Sequence, residues 1–496
     1  MSAQSNQSNN FESEIFANSL LTVELGGASE TVMRGYNEEG DRLHDGLPQA
    51  LSGVAKIAVL GWSSQGPAQA QNIRDSLYSA GLGDKTQVVV GLRDGSKSRA
   101  GAEEAGFNVK NGTLDTVEGA IDDADLSLML ISDAAMAKHG QEFVGLAKSG
   151  SVIGLSHGFW LGHLENMGEA PRPDVGIIGV CPKGMGPSVR KLYEQDSGIN
   201  TSFAVSQGGQ RETDLALGWS RMLGAPYTFQ TTLENEWRSD IFGERAVLLG
   251  GVHGIVEAMY KDLTVSGAMR DVPAYLHVVE SLVGPISSTI SEKGLKGLYD
   301  SIPEDEKPVF RQAYRSAYGP LRELTEKIYA DVSSGREIAE VIADNERDYP
   351  MFEIGGTPMW QVGAEVRMNP LTVAEVEIDT KVAGVYAAAM MAQVDVLMSK
   401  GHHMSEIVNE SIIEAVDSLN PYMKKAGVAH MVDNCSVTAR RGSRKWAPQY
   451  EAVMAQAVLP NIDGADNGAF DDFENHPVHG VLSELAKMRP PVAIAL

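Results

Sequence analysis

Short apolar runs alternate with helix-length segments through the first half of the chain. Lys56–Leu60 (KIAVL), Gln87–Leu92 (QVVVGL), Leu126–Ile131, Val152–Leu155 and Val175–Val180 are of strand length and mostly apolar. Strands that are apolar at consecutive positions are buried on both faces, as in a parallel sheet covered by helices. Pro67–Ala80 has helical spacing between the first two runs. The pattern predicts a parallel α/β sheet with right-handed crossovers. The first fifty residues precede it and read as an N-terminal extension, 1–50.

From about Thr231 the texture changes to long amphipathic segments: Phe242–Leu263, Pro273–Ile290, Lys307–Ser334, Val382–Lys400 and Ser405–Ser418. This half is predicted to be all helical. The boundary falls near Met222–Thr232, which divides the chain into 51–231 (α/β) and 232–496 (helical). The helical half carries a weak internal echo. Ser239-Asp240-Ile241-Phe242-Gly243-Glu244 opens a helix, and a later segment contains Val279-Glu280-Ser281; Asp379 to Gly384 opens another, followed by Asn409-Glu410-Ser411-Ile412-Ile413-Glu414. The two stretches read as a diverged duplication, with chance similarity as the alternative.

Charge and cysteine usage narrow the field. A formal net charge of −25 argues against nucleic acid and anionic membrane as partners. The two cysteines, Cys181 and Cys435, lie far apart and form no disulfide framework, so a reducing compartment is the default. The polar, acid-containing start lacks the apolar core of a secretory signal and the basic character of a transit peptide. A cytoplasmic address is expected, with a processed organellar form as the alternative. No uninterrupted apolar stretch approaches the length of a membrane span.

Gly61-Trp62-Ser63-Ser64-Gln65-Gly66 sits between a predicted strand and helix. It is a GxGxxG fingerprint with Ser63 at the middle glycine. Glycines there permit a tight turn and let a pyrophosphate approach a helix N-terminus, where free N–H groups favour anions. A purely structural turn is the plainer reading. The next strand ends in Gly91-Leu92-Arg93-Asp94-Gly95-Ser96-Lys97-Ser98. An NAD-binding fold usually places an acid there for the ribose hydroxyls. Arg93 with Ser96 and Ser98 instead suits a 2′-phosphate, which predicts NADPH over NADH. Asp94 opposes this unless it points outward, and a solvated basic loop is the plain alternative.

Asp240 and Glu244 are spaced i,i+4, as are Glu410 and Glu414. That spacing puts both acids of a pair on one helix face, where they repel unless a cation intervenes. Their neighbours Ile241, Phe242, Ile412 and Ile413 are apolar, which suggests burial, and buried carboxylates need a metal or a base. Four carboxylates without a His cluster indicate a hard ion such as Mg²⁺. Two solvent-facing acid pairs are the competing reading, common in acidic proteins.

Six ordered motifs, GWSSQGPAQAQNIRDSL, GLSHGFWLGHL, VCPKGMGPSVR, SDIFGERAVLLGGVHGIVE, NESIIEAVDSLNP and DNCSVTARRGSRKWAP, strongly resemble ketol-acid reductoisomerase in its long, plant-like form. The resemblance runs from about Phe11 through nearly the whole chain. It implies a Rossmann-type NADPH domain followed by an all-α, internally duplicated and knotted domain. It also implies NADPH, two Mg²⁺ ions and a small 2-keto or hydroxy acid substrate. The implied reaction is a metal-assisted alkyl shift in 2-acetolactate or 2-aceto-2-hydroxybutyrate, then reduction by NADPH to a 2,3-dihydroxy acid, in branched-chain amino acid synthesis. By the same resemblance Asp240, Glu244, Glu410 and Glu414 are metal ligands, and Ser436 binds substrate. His157 and Lys183 are polar groups at the edge of the site, and Arg93, Ser96 and Ser98 the phosphate loop. Asp133 and Gly186 complete the expected cofactor set with residues 61–66. Glu414 is the expected proton shuttle, and Lys183 is expected to orient that carboxylate or a metal-bound water. Ser63 departs from the family pattern and is expected to crowd the pyrophosphate. A homodimer is expected, with a tetramer as the alternative.

Two other readings compete with this one. An NADP-dependent β-hydroxyacid dehydrogenase also joins a Rossmann domain to helices, but has no need of four paired acids. A non-catalytic NADPH sensor on a decayed scaffold would have lost acids that are all present here.

Overall fold

The computed structural model describes residues 10–346, 351–368, 376–466, 468 and 470–489; the polar start at 1–9 lies outside them. The chain divides into two compact units. One ends at Trp237 and is joined again from Glu484, and the other runs from Arg238 to Ser483.

The first unit is built on one ten-stranded sheet. Its strands are β1 (Leu20–Leu25), β2 (Ala28–Arg34), β3 (Lys56–Leu60), β4 (Gln87–Gly91), β5 (Leu114–Asp115), β6 (Leu126–Met129), β7 (Val152–Leu155), β8 (Gly176–Pro182), β9 (Thr201–Gln207) and β10 (Tyr227–Gln230). The order is β1-β2-β10-β9-β8-β7-β6-β3-β4-β5. From β5 to β8 every pair is parallel, wound outwards in both directions from the adjacent β3 and β6. This is the arrangement of two mononucleotide-binding halves, with a crevice at the carboxyl ends where the winding reverses. Alternate side chains of β3 enter opposite cores. Ile57 and Val59 pack on one face with Val88, Leu128 and Ile178, while Ala58 and Leu60 pack on the other with Val89, Met129 and Ile153.

Two expectations are corrected. The sheet is mixed, because β9 runs antiparallel to β8 and β2 antiparallel to both β1 and β10. β9 escaped the apolar pattern because it is rich in hydroxyls. Its Thr201 is buried with Ser220 and Thr228, and their hydroxyls bond one another in place of water. The segment read as an extension adds a hairpin to the same sheet. Gly26 and Gly27 both have positive φ, 61° and 89°, as a two-residue hairpin turn requires.

The second unit is helical. Lys307–Ser333 and Thr380–Ser399 pack along one another. The latter is long and apolar enough to cross a membrane by length and composition, but its side chains are mostly buried within the unit. The predicted segment Phe242–Leu263 is two helices, Leu233–Arg245 and Gly250–Val265. Pro273–Ile290 and Ser405–Ser418 are not regular α-helix either. Wider π-helical turns occupy Leu276–Glu280, Leu282–Ile286, Asn409–Ile413 and Ala415–Leu419. Such turns insert a residue that hydrophobic periodicity does not reveal, and they concentrate at functional sites.

Candidate active site

Five adjacent parallel strands each release one predicted residue at the carboxyl end. Gly61 follows β3, Arg93 follows β4, Asp133 follows β6, His157 follows β7 and Lys183 follows β8. Loops at this edge are where open α/β sheets bind ligands.

The fingerprint loop turns at Gly61, φ +99°, and enters the helix Gln65–Ser79. A Cβ on Gly61 would lie 2.4 Å from the Leu130 carbonyl oxygen, and one on Gly66 would lie 2.3 Å from that of Gly61. Gly186 presses on the same loop from the start of helix Gly186–Glu194; a Cβ there would lie 1.8 Å from the Ser64 carbonyl oxygen. The Gly186 N–H donates to Ser64 Oγ at 3.3 Å, and Gln65 Nε2 donates to the Gly184 carbonyl at 3.0 Å. Ser63 is exposed, and Trp62 packs edge-on against Phe107 with ring centroids 5.6 Å apart. Backbone thus closes on backbone around a helix N-terminus, a cradle suited to a pyrophosphate. Past β4, Arg93 and Asp94 are both exposed, while Ser96 and Ser98 are half-buried in the turn that starts helix Arg99–Glu104. Half-buried Asp133 opens the helix Asp133–Leu146.

His157 and Lys183 converge on Glu236, a residue absent from the sequence-based set. His157 Nδ1 lies 3.2 Å from Glu236 Oε2, and buried Lys183 Nζ lies 3.5 Å from Oε1. The Gly158 N–H donates to Oε2 at 2.6 Å. Burial works to raise the Glu236 pKa, but His157 and Lys183 outweigh it and hold the carboxyl down at about 2. The cluster keeps an anion fixed between two nitrogen bases at every ordinary pH. A signal for Glu236 was present in the sequence. Glu236, Asp240 and Glu244 form an unbroken series at intervals of four on the helix Leu233–Arg245.

In the helical unit, carboxylate oxygens of Asp240, Glu410 and Glu414 come within 4.8 Å of one another. Glu410 and Glu414 are buried, and Asp240 is half-buried. Glu414 stands between the two wide turns Asn409–Ile413 and Ala415–Leu419. Three charges this close repel by roughly 3 kcal/mol per pair at the effective dielectric of a protein. An oxygen-only donor set of this kind fits a hard divalent cation. The fourth predicted ligand, Glu244, is turned to its neighbour, with Oε2 2.8 Å from Arg245 Nη1. Ser436 caps the helix Val437–Val453, its Oγ accepting the Ala439 N–H at 3.0 Å. The thiol of Cys435 beside it is pushed up to about 12 by burial, with Glu244, Glu414 and Asp240 adding to the rise.

Comparison with known proteins identifies the family. Residues 52–228 match the family model for the acetohydroxy acid isomeroreductase NADPH-binding domain, and residues 233–370 that for the ketol-acid reductoisomerase C-terminal domain. The chloroplastic ketol-acid reductoisomerase of Spinacia oleracea is 47% identical over 98% of this chain and 83% of its own length. That of Pisum sativum is 46% identical over 98% and 85%. A solved structure, the NADH-preferring ketol-acid reductoisomerase of an uncultured archean, superposes with a TM-score of 0.55 at 26% identity, covering 63% of this chain and 94% of its own. The chain belongs to the ketol-acid reductoisomerase family.

Proposed function

We propose that the chain converts 2-acetolactate or 2-aceto-2-hydroxybutyrate by alkyl migration and NADPH-dependent reduction to 2,3-dihydroxy-3-methyl acids, within branched-chain amino acid biosynthesis. The observation that carries this reading is the convergence of Asp240, Glu410 and Glu414 in the helical unit. A β-hydroxyacid dehydrogenase would have no use for those three acids.

Asp240, Glu410 and Glu414, with Glu244, would hold two Mg²⁺ ions. Bound there, Mg²⁺ supplies Lewis acidity towards the substrate's hydroxyl and carbonyl oxygens. NADPH, held by the loop 61–66, Asp133, Gly186 and the Arg93–Ser98 turn, supplies the hydride. The chain's own groups do the rest. Glu414, buried beside Asp240 and Glu410, takes and returns the hydroxyl proton. Lys183 and His157, fixed through Glu236, present N–H donors of fixed direction. Ser436 Oγ holds the substrate by a hydrogen bond.

The boundary expected at 231/232 moves to Trp237: the cofactor domain, with the hairpin Leu20–Arg34 in its sheet, ends there and is joined again from Glu484, and Arg238–Ser483 is the helical domain. We read the latter as two diverged repeats, knotted as the resemblance implies. Supporting this, paired wide turns separated by one residue recur at Leu276–Ile286 and Asn409–Leu419. Glu280, the counterpart of Glu410, faces a protein cation, Arg367 Nη2 at 2.5 Å. Gly284 and Ala383 stand where Glu414 and Glu244 would have counterparts. One composite metal site then survives from a duplicated pair. The assembly is a homodimer, with a tetramer as the outcome that mass measurement in solution would reveal instead. The chloroplastic relatives keep a processed organellar form beside the cytoplasmic address.

The deciding experiment follows NADPH oxidation with 2-acetolactate, with and without Mg²⁺. Activity only with Mg²⁺ supports the reading, and metal-independent oxidation of a simple β-hydroxyacid pair would replace it.

A further inference from the structure

Arg245 follows the metal-ligand candidate Glu244 directly and is completely buried. Its Nη1 donates to Glu244 Oε2 at 2.8 Å, and its Nε donates to Glu337 Oε2 at 3.0 Å. Glu337 is held in turn. Its Oε1 accepts from Lys445 Nζ at 2.7 Å and from Trp446 Nε1 at 3.0 Å. Space around the guanidinium is closed as well. A Cβ on Gly442 would lie 2.8 Å from Arg245 Cζ and 3.0 Å from Nη1.

A buried arginine–glutamate pair is weak evidence for stability, since desolvation offsets the attraction. Arg245 Nη2 is also buried without a hydrogen-bond partner among the described residues, a further cost. What the arrangement does supply is direction. A planar fork fixed at Nε leaves its Nη1 donor one orientation, and Nη1 meets the carboxylate of Glu244. Loss of a group that orients a ligand typically weakens metal affinity about ten- to a hundredfold.

We infer that Arg245 is a positioning residue for the metal site: pinned by Glu337, its guanidinium fixes the direction of the Glu244 carboxylate and thereby the affinity for a divalent cation. The inference rests on the reading of Asp240, Glu244, Glu410 and Glu414 as metal ligands. Glu337, Lys445 and Trp446 form the support behind Arg245, and the glycine at 442 is required so that the guanidinium fits.

The test uses the full-length enzyme and Mn²⁺ as the probe, titrated by electron paramagnetic resonance without substrate or NADPH. Arg245→Lys keeps the charge and removes the fork, Glu337→Gln removes the anchor's charge, and Gly442→Ala displaces the guanidinium without changing any charge. NADPH affinity and the melting temperature in EDTA are measured alongside. The expected result is Mn²⁺ affinity about ten- to a hundredfold weaker in Arg245→Lys and Glu337→Gln, and several-fold weaker in Gly442→Ala, with NADPH affinity unchanged. Should Arg245→Lys fail to fold, Gly442→Ala decides. Wild-type Mn²⁺ affinity in any folded variant of Arg245 or Gly442 overturns the inference, as does a lowered melting temperature with metal affinity intact. Failure of the wild-type enzyme itself to bind Mn²⁺ would instead overturn the metal-site reading on which it rests.

Discussion

His157 Nδ1 stands 3.2 Å from Glu236 Oε2, and the same oxygen accepts the Gly158 N–H at 2.6 Å. The carboxylate is therefore fixed by the backbone and by two basic side chains at once. Its folded pKa, about 2, lies below the ordinary 4.5. The folded state binds fewer protons there than the unfolded state, so stability from this group is full above the unfolded value and drains as pH falls towards the folded one. Glu236→Gln should cost on the order of 3 kcal/mol at neutral pH, and the gap from wild type should close as pH falls from about 5 to about 2. Urea unfolding across that range checks it, and a gap independent of pH would refute the ionised assignment.

Glu414→Gln should abolish the alkyl shift while leaving reduction of the pre-formed 2-keto-3-hydroxy acid at least partly intact. A general base contributes about 10²–10⁴-fold, so the loss in the first step should fall in that range. Separate assays with 2-acetolactate and with the intermediate acid distinguish the two. Near wild-type rates in both would remove the proton role from Glu414.

Gly186→Ala drives a Cβ to 1.8 Å from the Ser64 carbonyl oxygen, where backbone cannot yield cheaply. Overpacking of this kind costs about 1–3 kcal/mol. NADPH affinity, read by quenching of protein fluorescence, should fall about tenfold or more as the fingerprint loop shifts. Unchanged affinity would show that the loop does not carry the pyrophosphate.

Arg93→Ala should lower the preference for NADPH over NADH by about ten- to a hundredfold, the worth of a charge-assisted hydrogen bond. The ratio of kcat/KM for the two cofactors is the measurement. A ratio that does not move would return Arg93 to the role of a solvated surface cation.

The sequence alone located β3, β4, β6, β7 and β8 to within a residue or two, because strands apolar at consecutive positions announce burial on both faces. It also marked the fingerprint loop and the acids Asp240, Glu410 and Glu414 as local patterns of a few residues, while Glu244 turns to Arg245 instead of joining the other three. Tertiary structure decided the rest. The hydroxyl-rich strand Thr201–Gln207 gains its place from hydrogen bonds to Ser220 and Thr228, and the hairpin at Leu20–Arg34 from pairing with Tyr227–Gln230. Neither partner is near in sequence to the segment it captures. Glu236 was visible as a spacing but became a candidate only when folding brought it His157 and Lys183. Asp240 and Glu410 are 170 positions apart in the chain, and their carboxylates share a site because two helices converge. Local propensity is written residue by residue, so the sequence declares it; burial of polar groups and the meeting of distant charges are decided only by which surfaces pack together.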